Sequence, residues 1–182
     1  MSDLREWQQR AKDAFLAADK PDFLVSATPG AGKTRFALDL ARDLVGAGRV
    51  QRVVIVVPSD LLRKQWADQG DAYGLPLMPV SEAADYDKSG YRGCVVTYQQ
   101  LRHGALHLRR ATRLPTLAII DEIHHAGEGD NYSWGDDLKQ ALEHARYRLA
   151  LTGTPWRRDR YSPIPFIDYS DDGRVKVDAA YE

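Results

Sequence analysis

Residues 23–34 read Phe23-Leu24-Val25-Ser26-Ala27-Thr28-Pro29-Gly30-Ala31-Gly32-Lys33-Thr34, and this stretch decides the architecture. Pro21 breaks whatever precedes it, and Phe23-Leu24-Val25-Ser26 then reads as a short buried strand. Thr28 to Gly32 is rich in turn residues. From Lys33 the period lengthens, with Phe36, Leu40 and Leu44 on one side, which predicts a helix to about residue 45. Gly46 and Gly48 end it. A strand, a glycine turn and a helix opening on Lys-Thr make a phosphate-binding loop, with Ala27 where the pattern usually has glycine. Its backbone N–H groups suit phosphate oxygens at the start of a helix. Thr28, Pro29, Gly30, Ala31, Gly32, Lys33 and Thr34 are therefore candidate nucleotide-binding residues. Lys33 would reach the β and γ phosphates, and the Thr34 hydroxyl would bind Mg²⁺.

Working outward, strands and helices alternate. Asp3 is placed to cap a first helix running to about residue 18, with Leu4, Trp7, Ala11, Ala14 and Phe15 on one face. Val53-Val54-Ile55-Val56-Val57 is unbroken and β-branched, as in a strand covered on both faces. Pro58-Ser59-Asp60 leads into a helix ending near Gly70. Residues 74–90 hold two prolines and no sustained period. Cys94-Val95-Val96 makes another strand, followed by a helix over 99–110 that Gly104 weakens. Leu117-Ala118-Ile119-Ile120 is a strand, 134–145 a helix, and Leu149-Ala150-Leu151 a strand. Beyond Pro155 turn residues dominate, with a hairpin expected at Asp171-Asp172-Gly173. The fold class is α/β, a three-layer sandwich around a mainly parallel sheet.

Composition sets the limits. The chain has 182 residues, 43% hydrophobic and 28% charged, which is globular and argues against wholesale disorder. That length suits one domain. Its longest apolar run, at 53–57, is far too short to cross a membrane, and no membrane partner is expected. The polar start carries no secretory signal, so a cytoplasmic protein is expected. Cys94 is the single cysteine, which excludes an internal disulfide and a cysteine-cluster zinc site. The net charge of −1 hides a divide. Residues 88–120 hold six Lys or Arg and no acid, whereas 121–137 hold six acids and no Lys or Arg. A polyanion-binding face is compatible with that balance, because binding depends on local charge.

Asp121-Glu122-Ile123-His124 follows a strand directly. Asp121 at the strand end is suited to hold Mg²⁺ beside the loop, and Glu122 to orient and deprotonate an attacking water. Asp121, Glu122 and Lys33 are thus the candidate catalytic residues, and Thr34 and Asp121 the candidate metal ligands. His125 adjoins His124, but no further ligand set is visible and no metal site is read there.

Taken with Thr152-Gly153-Thr154-Pro155, these motifs resemble the first RecA-like domain of a superfamily-two DExH (DEAD/DEAH-type) helicase or translocase. The string through Trp156 and Arg157 is closest in character to restriction and repair translocases. The resemblance implies a RecA-like domain over residues 1–160, with 161–182 leading toward a second RecA-like domain that this chain does not contain. It implies that Gln8, in Leu4-Arg5-Glu6-Trp7-Gln8, reads adenine and selects ATP. Pro58 and Ser59 resemble one nucleic-acid contact motif, and Thr97 and Tyr98 a later one. Such contacts go to the phosphate backbone and are largely blind to base sequence. His124, Thr152 and Thr154 resemble the residues that couple the two sites. The implied cofactors are ATP and Mg²⁺, and the implied partners are DNA or RNA, DNA favoured, and a second RecA-like domain supplied in cis or trans.

The expected function is the ATP-binding half of a nucleic-acid-dependent ATPase. Hydrolysis would need the second domain, whose arginine fingers typically supply ~10³–10⁵ in rate, so the isolated chain is expected to have little activity. Two alternatives remain open on sequence. One is a self-contained small P-loop NTPase. The other is a nucleic-acid-binding module whose ATP site does not turn over.

Overall fold

A computed structural model describes residues 4–127, 133–154 and 164–181. The elements, in chain order, are α1 (Glu6–Ala18), β1 (Asp22–Ala27), α2 (Lys33–Gly46), β2 (Arg52–Val57), α3 (Asp60–Ala72), β3 (Leu77–Pro79), β4 (Gly93–Thr97), α4 (Tyr98–Ala111), β5 (Thr116–Ile120), α5 (Ser133–Leu142), β6 (Tyr147–Thr152) and β7 (Ala179–Tyr181). Two short 3₁₀ segments, Ala83–Asp87 and Ile123–Gly127, join them.

Among the described residues seven strands form one sheet in the order β3-β4-β2-β5-β6-β1-β7, and every pairing in it is parallel. β2 shows why. Its run of branched residues is buried on both faces, with Val53, Ile55 and Val57 in one core layer and Val54 and Val56 in the other. The first layer is closed by α1, α2 and α3 through Phe15, Phe36 and Trp66, and the second by α4 and α5 through Leu101 and Leu138. Parallel strands demand such crossovers, because each must return across a face of the sheet before the next can start.

Several expectations shift in detail. The position expected to cap the first helix, Asp3, lies outside the described residues. The observed N-cap is Arg5, whose backbone N–H donates to Gln8 Oε1 at 2.8 Å. The helix expected over 134–145 stops at Leu142. There the Arg148 guanidinium donates to the carbonyls of Leu142, Glu143 and Ala145 at 3.1–3.3 Å, and so satisfies the groups a helix end leaves bare. α4 runs unbroken through Gly104, whose low helix propensity is offset by packing. A Cβ there would meet the Tyr86 hydroxyl at 1.8 Å, so the glycine admits the buried Tyr86 ring.

The unreadable stretch 74–90 holds β3 and a 3₁₀ turn, in which Asp85 accepts the backbone N–H groups of Ser81 and Glu82. The hairpin expected near Asp172 is present as a Tyr169–Val175 antiparallel bridge around a turn. The chain then adds β7 to the outer side of β1, an element no sequence signal foretells. Asp178 fastens it by accepting from Leu24 N–H at 2.8 Å and pairing with Lys20 at 2.5 Å. Cys94 is fully buried in β4, and burial pushes its thiol up to about 12. Among the described residues no helix is long and apolar enough to cross a membrane.

Candidate nucleotide site at the carboxyl edge of the sheet

In an all-parallel sheet every strand delivers its carboxyl end to the same edge, and ligands bind there. β1 runs into the phosphate loop, β2 into Pro58-Ser59, β4 into Thr97, β5 into Asp121-Glu122, and β6 ends at Thr152. Sequence-remote motifs thereby share one rim.

The loop is shaped for a close approach. Thr28, Pro29 and Gly30 are exposed, and Ala31 N–H donates to Thr28 O at 3.1 Å. Gly32, the N-cap of α2, sits at φ 95°, and a Cβ on it would lie 2.6 Å from Gln8 Nε2. Only glycine fits there. Gln8 is fully buried, accepts from Arg5 N–H and donates to Gly32 O at 2.9 Å. Arg5 Nη1 donates to Ala31 O at 3.1 Å. Gln8 is thus brought to the loop, with both ends of its amide engaged by the protein. Arg5 is a site residue that sequence reasoning misses, although its place three residues before Gln8 in a capping box is the available signal.

Lys33 and Thr34 open the first turn of α2. Lys33 Nζ donates to Ala27 O at 2.9 Å and lies 3.3 Å from Glu122 Oε1. The other Glu122 oxygen accepts Gly153 N–H at 2.9 Å. Glu122 occupies φ 47°, a rare value for a residue with a side chain, and functional sites are where such backbones gather. His124 Nδ1 lies 3.2 Å from Thr152 Oγ1 and 3.6 Å from Glu122 Oε2. Thr152 Oγ1 in turn donates to Thr154 O at 3.1 Å. Lys33, Glu122, His124, Thr152 and Thr154 are therefore one connected group. Pro155, Trp156 and Arg157, the rest of that string, lie outside the described residues.

Asp121 is nearly buried, and Trp66 Nε1 donates to its Oδ2 at 3.0 Å. Burial raises its carboxyl above the usual range, the Trp66 bond opposes that rise, the Glu122 charge adds to it and Lys33 opposes it. A carboxylate that burial disfavours, beside a second carboxylate, suits a hard cation with oxygen ligands. The donor set thus fits Mg²⁺. Trp66 escapes sequence reasoning as a site residue, because a tryptophan on a helix face signals core by default.

The two expected nucleic-acid motifs both open helices. Ser59 is exposed and caps α3, accepting Leu62 N–H at 3.4 Å. Thr97 caps α4, accepting Gln100 N–H at 3.2 Å while Gln100 Oε1 accepts Thr97 N–H at 2.9 Å. Tyr98 points inward: it is 1% exposed and its hydroxyl donates to Asp121 O at 2.9 Å. The cationic stretch 88–120 divides. α4 starts at the carboxyl edge and its 14 residues run back about 21 Å, so Arg109, Arg110 and Arg113 sit toward the opposite edge. There Arg109 pairs with Glu143 at 2.7 Å, which answers the expected polyanion role with an intramolecular partner. Part of the acidic run that follows lies outside the described residues.

Fold and family model together place the chain with the N-terminal RecA-like domains of superfamily-two helicases. The chain belongs to the family described as the type III restriction enzyme, res subunit, whose model matches residues 1–157. An uncharacterized protein of Mycobacterium tuberculosis is 46% identical over 184 residues, covering 98% of this chain and 30% of that protein. One of Mycobacterium leprae is 43% identical over 171 residues, covering 93% and 28%. The chain thus spans less than a third of the length of these relatives. Among solved structures, the Sulfolobus solfataricus SWI2/SNF2 ATPase core in complex with dsDNA superposes with a TM-score of 0.72 at 20% identity, over 91% of this chain and 36% of that one. A nuclease-deletion mutant of the type ISP restriction-modification enzyme LlaGI, in complex with a DNA substrate mimic, gives 0.67 at 18%, over 100% and 20%. The UvsW helicase of bacteriophage T4 gives 0.60 at 18%, over 82% and 52%.

Proposed function

We propose that this chain is the ATP-binding half of a DNA-dependent translocase or helicase, and that it hydrolyses ATP when a second RecA-like domain, in cis or trans, closes the site. The observation that carries this is the placement of Glu122 between Lys33 Nζ (3.3 Å) and Gly153 N–H (2.9 Å). A base that touches the phosphate lysine on one side and the β6 motif on the other can respond to both nucleotide and partner. Residues 161–182, which also lend β7 to this sheet, are read as the approach to the second domain.

In this reading the loop amides and Lys33 hold the phosphates, Thr34 and Asp121 hold Mg²⁺, and Gln8 reads adenine after trading one of its two internal bonds. Bound Mg²⁺ would neutralise phosphate charge. Glu122 orients the attacking water and takes its proton. The His124–Thr152–Thr154 group links that base to the rim where Pro58, Ser59, Thr97 and the α3 and α4 termini would meet phosphates. Two of the similar structures, the SWI2/SNF2 core and LlaGI, are complexes with DNA or a DNA mimic, which supports DNA over RNA.

The deciding experiment measures MgATP binding and steady-state hydrolysis by the 182-residue chain, with and without DNA or RNA, beside Lys33→Ala. Binding that depends on Lys33, with negligible turnover, is expected. Unchanged binding in Lys33→Ala overturns the site. Brisk turnover by the chain alone would instead favour a self-contained NTPase.

A further inference from the structure

Two helices that open on the proposed nucleic-acid rim each drop one aromatic donor onto the same residue. α3, capped by Ser59, contributes Trp66, whose indole N–H donates to Asp121 Oδ2 at 3.0 Å. α4, capped by Thr97, contributes Tyr98, whose hydroxyl donates to Asp121 O at 2.9 Å. The helices lie on opposite faces of the sheet, Trp66 in one core layer and Tyr98 in the other. Asp121 is therefore gripped from both sides, once by its carboxylate and once by its backbone.

We propose that Trp66 and Tyr98 are positioning residues that transmit nucleic-acid engagement at the N-termini of α3 and α4 to the orientation of the Asp121 carboxylate. The inference rests on the function proposed above and adds the physical connection between its two sites.

Burial makes the connection stiff. Both rings are 1% exposed, and close-packed side chains move with the helix that carries them rather than independently. Trp66 lies seven residues into α3 from its Ser59 cap, about 10 Å along the axis, and Tyr98 is the first residue of α4. A phosphate drawn to either terminus pulls on a rigid rod that bears on Asp121, through its carboxylate from α3 and through its backbone carbonyl from α4. An apolar ring would fill each space equally well. The hydrogen bonds are what make the two helices read Asp121 rather than merely cover it. Coupling between two ligands is reciprocal, so nucleotide and DNA should each tighten the other by the same factor.

The test uses Trp66→Phe, Tyr98→Phe and the double variant of this chain. Tyr98→Phe removes only a hydroxyl, so the proposal stays testable if Trp66→Phe folds poorly. Kd for a fluorescent ATP analogue is measured in EDTA and in Mg²⁺, then with and without a single-stranded oligodeoxythymidine, with thermal melting as the fold control. In the wild type Mg²⁺ and DNA should each lower the Kd, typically by ~5-fold or more for such coupling. Trp66→Phe should cut the gain due to Mg²⁺ by about threefold to tenfold, the net worth of one typical hydrogen bond. Both single variants should move the DNA coupling ratio toward one, and the double variant should abolish it. A purely structural role would lower the melting temperature and leave both ratios intact, which overturns the inference. Wild-type binding that is insensitive to Lys33→Ala overturns the proposed function and this inference together. Lys33-dependent wild-type binding with unchanged ratios in folded variants overturns the inference alone.

Discussion

Lys33 and Glu122 hold one another across the mouth of the phosphate loop, Nζ to Oε1 at 3.3 Å, while Ala27 O takes a second Lys33 proton at 2.9 Å. The lysine that would meet the phosphates is thus already paired with the base that would activate water. In the proposed function nucleotide would compete for Lys33, and in doing so would free Glu122. Binding and arming of the base would then be one event.

Glu122→Gln should therefore bind MgATP more tightly while losing turnover. Releasing Lys33 from a partly exposed pair is worth about 1 kcal/mol, or roughly fivefold in Kd. Removing the base should cost ~10²–10⁴ in rate. Fluorescence titration and single-turnover hydrolysis, with nucleic acid and the second domain present, check both halves. Weaker binding would show that the pair supports nucleotide rather than competing with it.

A second paired lysine sets the seat of α1. Lys12 Nζ lies 2.6 Å from Asp39 Oδ2 and 2.5 Å from Asp43 Oδ2, with Arg42 2.5 Å from Asp39 on the far side. Lys12→Met should destabilise the fold by ~3 kcal/mol, because Asp39 is left buried with one partner. Lys12→Met with Asp39→Leu should recover most of that loss in urea unfolding. The pH dependence follows from the same group. Burial opposes the charge on both ends, yet the bonds win, leaving Asp43 below 3.8 and Lys12 above 10.5. The Asp43 contribution is complete above 3.8 and disappears as pH falls through its lower folded value. The Lys12 contribution is complete below 10.5 and disappears as pH rises through its higher folded value. The gap between wild type and Lys12→Met should accordingly be flat near neutrality and narrow at both extremes.

Gly104→Ala tests packing against propensity. Alanine is favoured over glycine in a helix by about 1 kcal/mol. Here its methyl would lie 1.8 Å from the Tyr86 hydroxyl and 2.5 Å from the ring carbon that bears it. The substitution should destabilise the protein by ~1–3 kcal/mol. In a Tyr86→Ala background the same change should be neutral or stabilising. Denaturation midpoints of the four proteins in this cycle decide the matter.

Gln8→Ala removes the acceptor for Arg5 N–H and the donor to Gly32 O. Two lost internal bonds should cost ~1–3 kcal/mol of stability. If Gln8 also reads adenine, the preference for ATP over GTP should fall toward one. Competition titrations with the two nucleotides measure it, and an unchanged ratio would confine Gln8 to bracing the loop.

Much of this is legible in the chain because its information is local. The run at 53–57 announces a doubly covered strand, and Gly32-Lys33-Thr34 announces the loop, since backbone conformation and hydrogen bonding at those points depend on neighbours in sequence. What escapes is long-range. β7 has three residues and no pattern, and exists because Asp178 finds Leu24 and Lys20 across the molecule. Gly104 reads as a weakness in sequence, and only the Tyr86 ring against it explains its presence. Trp66 reads as core, and is core, but its single N–H has a destination that helical periodicity does not encode. Tyr98 and Arg109 carry the opposite lesson. Both sit where a surface role is expected, and the fold turns one inward and pairs the other.

The position of β1 between β6 and β7 has a consequence for how the molecule comes to exist. β1 is the first strand of this sheet to leave the ribosome, yet its partners are the last two, and Asp22 meets Arg148 across 126 residues of chain. Until those residues are synthesised, Phe23, Leu24 and Val25 have no strand to pair with. Contacts of such sequence separation form slowly and leave apolar edges open meanwhile. The loop after β1 is therefore written early in the chain and takes its shape late. Its assembly reports completion of the whole sheet, and a chaperone that delays collapse should raise the yield of folded protein more than one that hastens it.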